Sequence, residues 1–167
     1  MAKPKRQLYG KQLAKRQAMQ LSLQALYQWH LSGNSLAQVE LNLRSSLPDE
    51  NLSGNEDPAK LLRKADITYF LKVFHGAAKA ASDLEAAFSQ FLDRPVSELD
   101  PIELAILRLA SYELSHCLET PYRVVINEAV ELAKLYGATA SHKYINGVLD
   151  QLAQQVRAAE IAAKRKQ

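Results

Sequence analysis

Cysteine is almost absent from this chain of 167 residues. The single residue, Cys117, excludes an internal disulfide framework and any metal site built on several cysteines. The six glycines are scattered with none adjacent, so the sequence has no glycine-rich loop of the kind that cradles phosphates. No apolar run approaches the ~18 residues needed to cross a bilayer. We therefore expect a cytoplasmic protein with no membrane span and no cofactor.

The residue types that carry catalysis are also sparse. Four histidines, His30, His75, His116 and His142, lie far apart and do not have metal-ligand spacing. His116 and Cys117 are neighbours, but adjacent residues on a helix point about 100° apart and do not face each other. The sequence predicts neither a metal site nor a catalytic site.

Acidic residues are missing from the first 39 positions, and the first one is Glu40. The same segment carries six cations, so its charge is +6, while the remaining 128 residues carry −3 to give the net +3. The six are Lys3, Lys5, Arg6, Lys11, Lys15 and Arg16. This split favours a basic arm, residues 1–10, attached to a body that is not generally basic, and we expect the arm to bind a polyanion. A solvated tail is the alternative interpretation.

Most of the chain has apolar residues at helical spacing, which predicts an all-α fold of about seven helices in two packed subdomains. The first part spans residues 11–44, with helices over 11–31 and 36–43. Residues 45–57 are rich in turn-forming residues and predict an exposed loop between the two parts. The second part spans residues 58–157, and residues 158–167 form a basic tail that we expect to be frayed.

Capping patterns predict where the later helices begin. Asp57-Pro58, Asp100-Pro101 and Thr120-Pro121 each place a capping side chain before a proline at the first helical position. Ser82 and Ser141 are further predicted caps. Glu103 completes a capping box with Asp100.

Two regions combine cations with aromatic rings. On the first helix, Lys11 and Lys15 share a face, Arg16 widens the positive stripe, and Tyr27 follows. At the start of the last helix lie Lys143, Tyr144 and Asn146. Rings can stack on unpaired bases while cations hold phosphates, which is typical of single-stranded RNA binding. Packing in the core is the alternative role for the rings, and the one we favour for Trp29.

Four segments of the chain have a recognisable sequence: QALYQW at residues 24–29, DPIELAILRLA at 100–110, TPYRVVINEAVELAK at 120–134 and SHKYINGVLD at 141–150. They resemble the bacterial NusB family of transcription antitermination factors. The resemblance runs in order from about residue 11 to residue 152. It implies an all-helical fold of two small bundles.

The resemblance also implies a function. Proteins of this family bind boxA RNA together with NusE, a small-subunit ribosomal protein. The pair joins the antitermination complex on RNA polymerase, notably on ribosomal RNA operons. Carried over by position, Lys15, Arg16, Tyr27, Lys143 and Tyr144 would contact RNA, and Glu103 would face NusE, a role that competes with its capping role.

Two positions depart from the family pattern, with Met19 where an arginine is common and Tyr144 where phenylalanine is frequent. The ring of Tyr144 can stack on a base as a phenylalanine ring would. Two other hypotheses remain at this point. The chain could be a non-catalytic accessory domain for an RNA methyltransferase, or a structural helical protein that self-associates as a homodimer.

Overall fold

The computed structural model describes residues 3–45 and 65–166, with the backbone alone for residues 3–9. Within these ranges the chain forms eight α-helices, one short 3-10 helix and no strand. The all-α prediction is therefore confirmed, with one helix more than expected. The chain divides into two compact units, Met1–Ala78 and Lys79–Gln167. The predicted loop at 45–57, apart from residue 45, and the Asp57-Pro58 cap lie outside the described residues.

Three of the described helices begin in the first unit: α1 (Lys3–Ser32), α2 (Leu36–Arg44) and α3 (Ile67–Lys79). Helix α1 begins eight residues before the predicted start, so the backbone of the expected arm is helical from residue 3. It ends at Gly33, whose positive φ of 70° suits glycine at a helix C-terminus. The Ser35 hydroxyl then caps α2 by accepting from the backbone N–H of Gln38 at 3.1 Å.

The second unit contains α4 (Ala81–Ser89), the 3-10 helix (Val96–Glu98), α5 (Pro101–His116), α6 (Tyr122–Tyr136), α7 (Ser141–Val156) and α8 (Ala158–Arg165). Helix α5 packs against α4, α6 and α7, and α8 packs against α7. Every residue from Leu104 to Ser111 is buried, as expected of a helix surrounded by others. The one cation in that run, Arg108, donates to Glu85 of α4 with Nε 2.9 Å from Oε1.

A second buried arginine, Arg157, joins the ends of several helices. Its side chain is 3% exposed. It donates to the backbone carbonyls of Leu114 at 2.7 Å, Thr120 at 2.9 Å, Cys117 at 3.0 Å and Glu113 at 3.2 Å. One of them, the carbonyl of Leu114 in the last turn of α5, is a group that the helix itself leaves without a donor. Arg157 Nη1 also lies 2.6 Å from Glu160 Oε2.

Glu160 extends this connection to the start of α6, because its Oε1 accepts from the backbone N–H of Tyr122 at 3.1 Å. Burial alone would raise the pKa of Glu160, but the hydrogen bonds from Arg157 and Tyr122 outweigh it and hold that pKa below its ordinary value. The stability that Glu160 contributes is therefore present above its ordinary pKa and is lost as the pH falls through the lowered value.

Asp100 caps α5 as predicted, with Oδ1 2.8 Å from the backbone nitrogen of Ile102. Three other predicted caps are wrong. Helix α6 begins after Pro121 with no bond from Thr120, because Glu160 supplies the acceptor instead. Helix α7 begins after Ala140, and Ser141 lies inside it. Helix α4 begins at Ala81, so Ser82 falls in its first turn.

The last segment also differs from the expected frayed tail. Residues 158–165 form helix α8, and Ile161 is buried on its inner side. The bonds of Arg157 and Glu160 fix the first turn of α8 to the end of α5 and the start of α6. Lys164 and Arg165 therefore project from an ordered helix.

We predict that Arg157→Met, which keeps most of the side-chain volume, destabilises the protein by about 3 kcal/mol or more, because buried carbonyls and Glu160 lose their donor. Urea unfolding measures this. The control is Arg165→Met on the exposed side of α8, for which we expect a change within about 0.5 kcal/mol. Equal stability of the two variants would contradict the role of Arg157.

Candidate nucleic-acid interface

The turn before α7 sets how its first residues are presented. Gly137 ends α6 with its N–H 2.8 Å from the carbonyl oxygen of Ala133. A Cβ at this position would lie 2.7 Å from that oxygen, so the close approach requires glycine. Ala140 then adopts a left-handed conformation with φ 73°, which reverses the chain into α7. A non-glycine residue in this region is strained.

Tyr144 lies one turn into α7 and is half-buried. Its hydroxyl oxygen accepts from the backbone N–H of Asp93 at 3.3 Å. The guanidinium carbon of Arg94 lies 4.9 Å from the centre of its ring, a cation–π contact. Burial raises the pKa of Tyr144, so the phenol stays neutral at physiological pH. The ring is thus held in place with a cation over one face.

The sequence analysis did not identify Arg94, because the ring that it contacts, Tyr144, lies far away along the chain. The guanidinium is paired with the neighbouring carboxylate, with Nε 2.7 Å from Asp93 Oδ1 and Nη2 3.2 Å from Oδ2. The hydrogen bond from Arg94 lowers the pKa of Asp93, and the same bond raises the pKa of Arg94. Both groups therefore stay charged across the physiological range.

The other predicted residues of α7 lie on a neighbouring side of the helix, because residues adjacent in sequence point about 100° apart. Lys143 and Asn146 are both exposed. They are three positions apart and so share a side of the helix. Together with Tyr144 and Arg94 they form a surface that we call the α7 surface. It combines two cations, an amide and a ring.

Glu103 reaches the start of α7 from α5. Its Oε1 accepts from Ser141 Oγ at 3.3 Å, and the side chain remains partly exposed. It thus bonds α7 rather than completing the predicted capping box. After the dominant effect of Asp93, Glu103 is a smaller contributor to the raised pKa of Arg94. The residue expected to face a protein partner therefore lies within electrostatic reach of the α7 surface.

In the first unit, Lys11, Lys15 and Arg16 are all exposed on α1. Lys15 Nζ lies 5.1 Å from the ring centre of Tyr69. We call these three cations the α1 surface. The predicted contacts Lys3, Lys5 and Arg6 continue it in sequence, but their side chains lie outside the described residues. Met19 is buried, so the position where an arginine was expected serves the core here.

Tyr27 does not join the α1 surface, because eleven residues of helix separate it from Arg16, a rise of about 16 Å. It is half-buried and lines a cavity of about 290 Å³ between the end of α1 and α2. Trp29 is likewise half-buried.

Two features relevant to other functions are not found in the described parts of the chain. No group of three or more His, Cys, Asp or Glu residues there could hold a metal ion. No described helix has the length and apolar character needed to cross a membrane.

Comparison with known proteins identifies the family. A family model described as the NusB family matches residues 16–154. The chain belongs to the NusB family. It is similar to the transcription antitermination protein NusB of Chromohalobacter salexigens, at 44% identity over 99% of this chain and all of that protein. It is also 48% identical to that of Ralstonia nicotianae, over 91% of this chain and 90% of the relative.

Solved structures support the NusB fold. A structure of T. maritima NusB matches with a TM-score of 0.64 and 26% identity, covering 84% of this chain and 91% of that one. A second, of antitermination factors NusB and NusE in complex with double-stranded RNA, matches with a TM-score of 0.63 and covers 83% of this chain and 95% of that chain. At 21% identity the second match supports the fold alone.

The strained residue before α7 leads to a stability prediction. We expect Ala140→Gly to stabilise the protein by about 1 kcal/mol, because glycine adopts positive φ without a steric penalty. The matched control is Ala86→Gly in α4, where loss of an exposed helical alanine should destabilise by about 0.5–1 kcal/mol. Chemical denaturation of both variants should show opposite signs. Destabilisation by Ala140→Gly would contradict the left-handed turn.

Proposed function

We propose that this chain is a non-catalytic RNA-binding adaptor of transcription antitermination that acts in the cytoplasm. It binds boxA-type RNA together with NusE and joins the antitermination complex on RNA polymerase at ribosomal RNA operons. The support is the family itself. Relatives named for transcription antitermination align with 91% and 99% of the chain, so they share both units.

The observation that carries RNA binding is the ring of Tyr144 on the α7 surface. A base that stacks on an aromatic ring contributes about 1–3 kcal/mol to single-strand binding. The ring is fixed before RNA arrives, because its hydroxyl bonds Asp93 and Arg94 covers one face. Less conformational entropy is then lost on binding. Lys143 and Asn146, both exposed on a neighbouring side of α7, would bind a phosphate and a base edge of the same strand.

Arg94 joins this assignment as a phosphate contact. In the free protein its charge is balanced by Asp93 at 2.7 Å. An exposed ion pair of this kind is worth little, so a phosphate can take the place of the carboxylate. A guanidinium binds a phosphate through two parallel hydrogen bonds, as it does a carboxylate.

The α1 surface supplies the sequence-independent part of binding. Lys11, Lys15 and Arg16 are exposed on one helix, and Lys3, Lys5 and Arg6 precede them in the chain. Contacts of this kind release counterions and make affinity depend on salt. Tyr27, half-buried at the far end of α1, is a further proposed RNA contact with a more limited accessible face.

NusE binding is assigned to the surface around Glu103. As a ribosomal protein NusE is expected to be basic, and acids in a unit of net negative charge complement it. Glu103 is partly exposed, and Ser141 orients it. Because Glu103 lies near Arg94 and contacts the start of α7, a partner bound at Glu103 would influence the α7 surface.

A titration of boxA RNA with and without NusE tests this function. We predict that Tyr144→Ala weakens boxA binding by about 1–3 kcal/mol, whereas Tyr144→Phe, which keeps the ring, changes it far less. Fluorescence anisotropy measures both, and thermal unfolding checks that each variant is folded.

If the five proposed phosphate contacts at Lys11, Lys15, Arg16, Arg94 and Lys143 form, log affinity should fall against log salt with a slope of about −3 to −4.

Two outcomes would contradict the proposal. One is equal affinity of wild-type protein for boxA and a scrambled RNA, with or without NusE. The other is an unchanged affinity of folded Tyr144→Ala, which would assign the ring a purely structural role.

A further inference from the structure

The second unit has excess negative charge, yet four of its cations lie at two helix ends that meet. It contains ten Lys or Arg residues and twelve Asp or Glu residues, so its net charge is −2. Five of the ten are paired with acids: Arg94 with Asp93, Arg108 with Glu85, Lys134 with Glu131, and both Arg157 and Lys164 with Glu160. Four of the ten lie at the start of α6 and the end of α8, namely Arg123, Lys164, Arg165 and Lys166.

The ring of Tyr122 brings these two helix ends together. Lys164 Nζ lies 5.1 Å from the ring centre, and the guanidinium carbon of Arg123 lies 5.8 Å from the same centre. Arg123 Nε also donates to the Tyr122 hydroxyl at 3.1 Å. Two cations from different helices are therefore held beside one ring, where their like charges repel each other.

The neighbouring acids balance this charge only in part. Glu160 Oε1 lies 3.8 Å from Lys164 Nζ, but its two oxygens already accept from Arg157 and from the backbone of Tyr122. The charge of Asp150 acts on Arg123. Since Arg157 already balances Glu160, the four cations outnumber Asp150, and we call these four residues the α6–α8 surface.

We propose that the α6–α8 surface is a second RNA site, which binds the phosphate backbone of nucleotides flanking the boxA element. The inference rests on the proposed function, because it takes the ligand to be the RNA that the α7 surface binds. It assigns no base recognition. Tyr122 is buried and presents the cations without offering a free ring for stacking.

A membrane surface is a poorer match for the same charges. A helix that lies on a bilayer needs an apolar face turned outward. Helix α8 has one large apolar residue, Ile161, and it is buried within the unit at 7% exposure. The exposed residues around it are alanines and charged residues, so they offer phosphate binding and little apolar area.

The test compares a minimal boxA RNA with the same element extended by about ten nucleotides on each side. Two charge-neutralising pairs are made in the full chain, Arg165→Gln with Lys166→Gln at the end of α8, and Arg123→Gln with Lys164→Gln beside Tyr122. We expect each pair to lower affinity for the extended RNA about tenfold. The salt slope should become shallower by about 0.7 per lost phosphate contact. Binding of the minimal RNA should stay nearly unchanged.

The matched control is Lys79→Gln with Lys134→Gln, which removes the same charge from the same unit outside the surface. Thermal unfolding of all variants separates loss of binding from loss of fold, and the α8 pair has no ring contact to disturb. The inference is overturned if the control pair weakens extended RNA as much as the surface pairs do, or if the surface pairs weaken both RNAs equally. It is also overturned if the surface pairs lose binding to phosphatidylglycerol vesicles while their binding to the extended RNA is unchanged.

Failure of the proposed function would look different. Wild-type protein would then prefer boxA no more than a scrambled RNA of the same length. The difference between extended and minimal RNA would still report on the α6–α8 surface.

Discussion

The second unit depends on the buried guanidinium of Arg157. This one side chain meets the carbonyls that end α5 and follow it, and through Glu160 it reaches the first amide of α6. A charge buried this deeply is tolerated only because its donors are paired. The arrangement works in both directions, since the helix ends need partners for their orphan groups and the arginine needs acceptors. The junction of α7 and α8 is thereby fixed to the turn between α5 and α6.

The surfaces assigned to RNA in this unit lie on helices whose positions depend on these bonds. At the other end of α5, Glu103 bonds Ser141, so α5 contacts the start of α7 as well as supporting its end through Arg157. The turn carrying Asp93 and Arg94 then fixes the ring of Tyr144. Helix α8 projects from the Arg157–Glu160 pair, and its cations meet Arg123 beside Tyr122. Elements with local structural roles therefore place charges and rings where a polyanion can reach them.

What the sequence predicted correctly is local. Helical period predicted the fold class, and Asp100 with Pro101 predicted the start of α5, because a cap and its helix are neighbours in the chain. Local errors remain at the predicted Ser82 and Ser141 caps, but the errors that bear on the candidate site involve residues distant in sequence. Glu160 replaces Thr120 at the start of α6 from 38 positions away, and Asp93 bonds Tyr144 across 51 positions. No pattern along the chain encodes such contacts, and for that reason Arg94 and the α6–α8 surface emerged only from the structure.

The central claim is that the α7 surface binds unpaired RNA. The most direct measurement is the amide chemical-shift change of isotope-labelled protein on addition of minimal boxA RNA. We expect the largest changes at the amides of Asp93 and Arg94 and at those of Lys143 to Asn146, since Arg94 exchanges Asp93 for a phosphate and Tyr144 gains a stacked base there. Changes confined to the acidic outer side of α6, around Glu128 and Glu131, with residues 93 and 144 unmoved, would contradict the account.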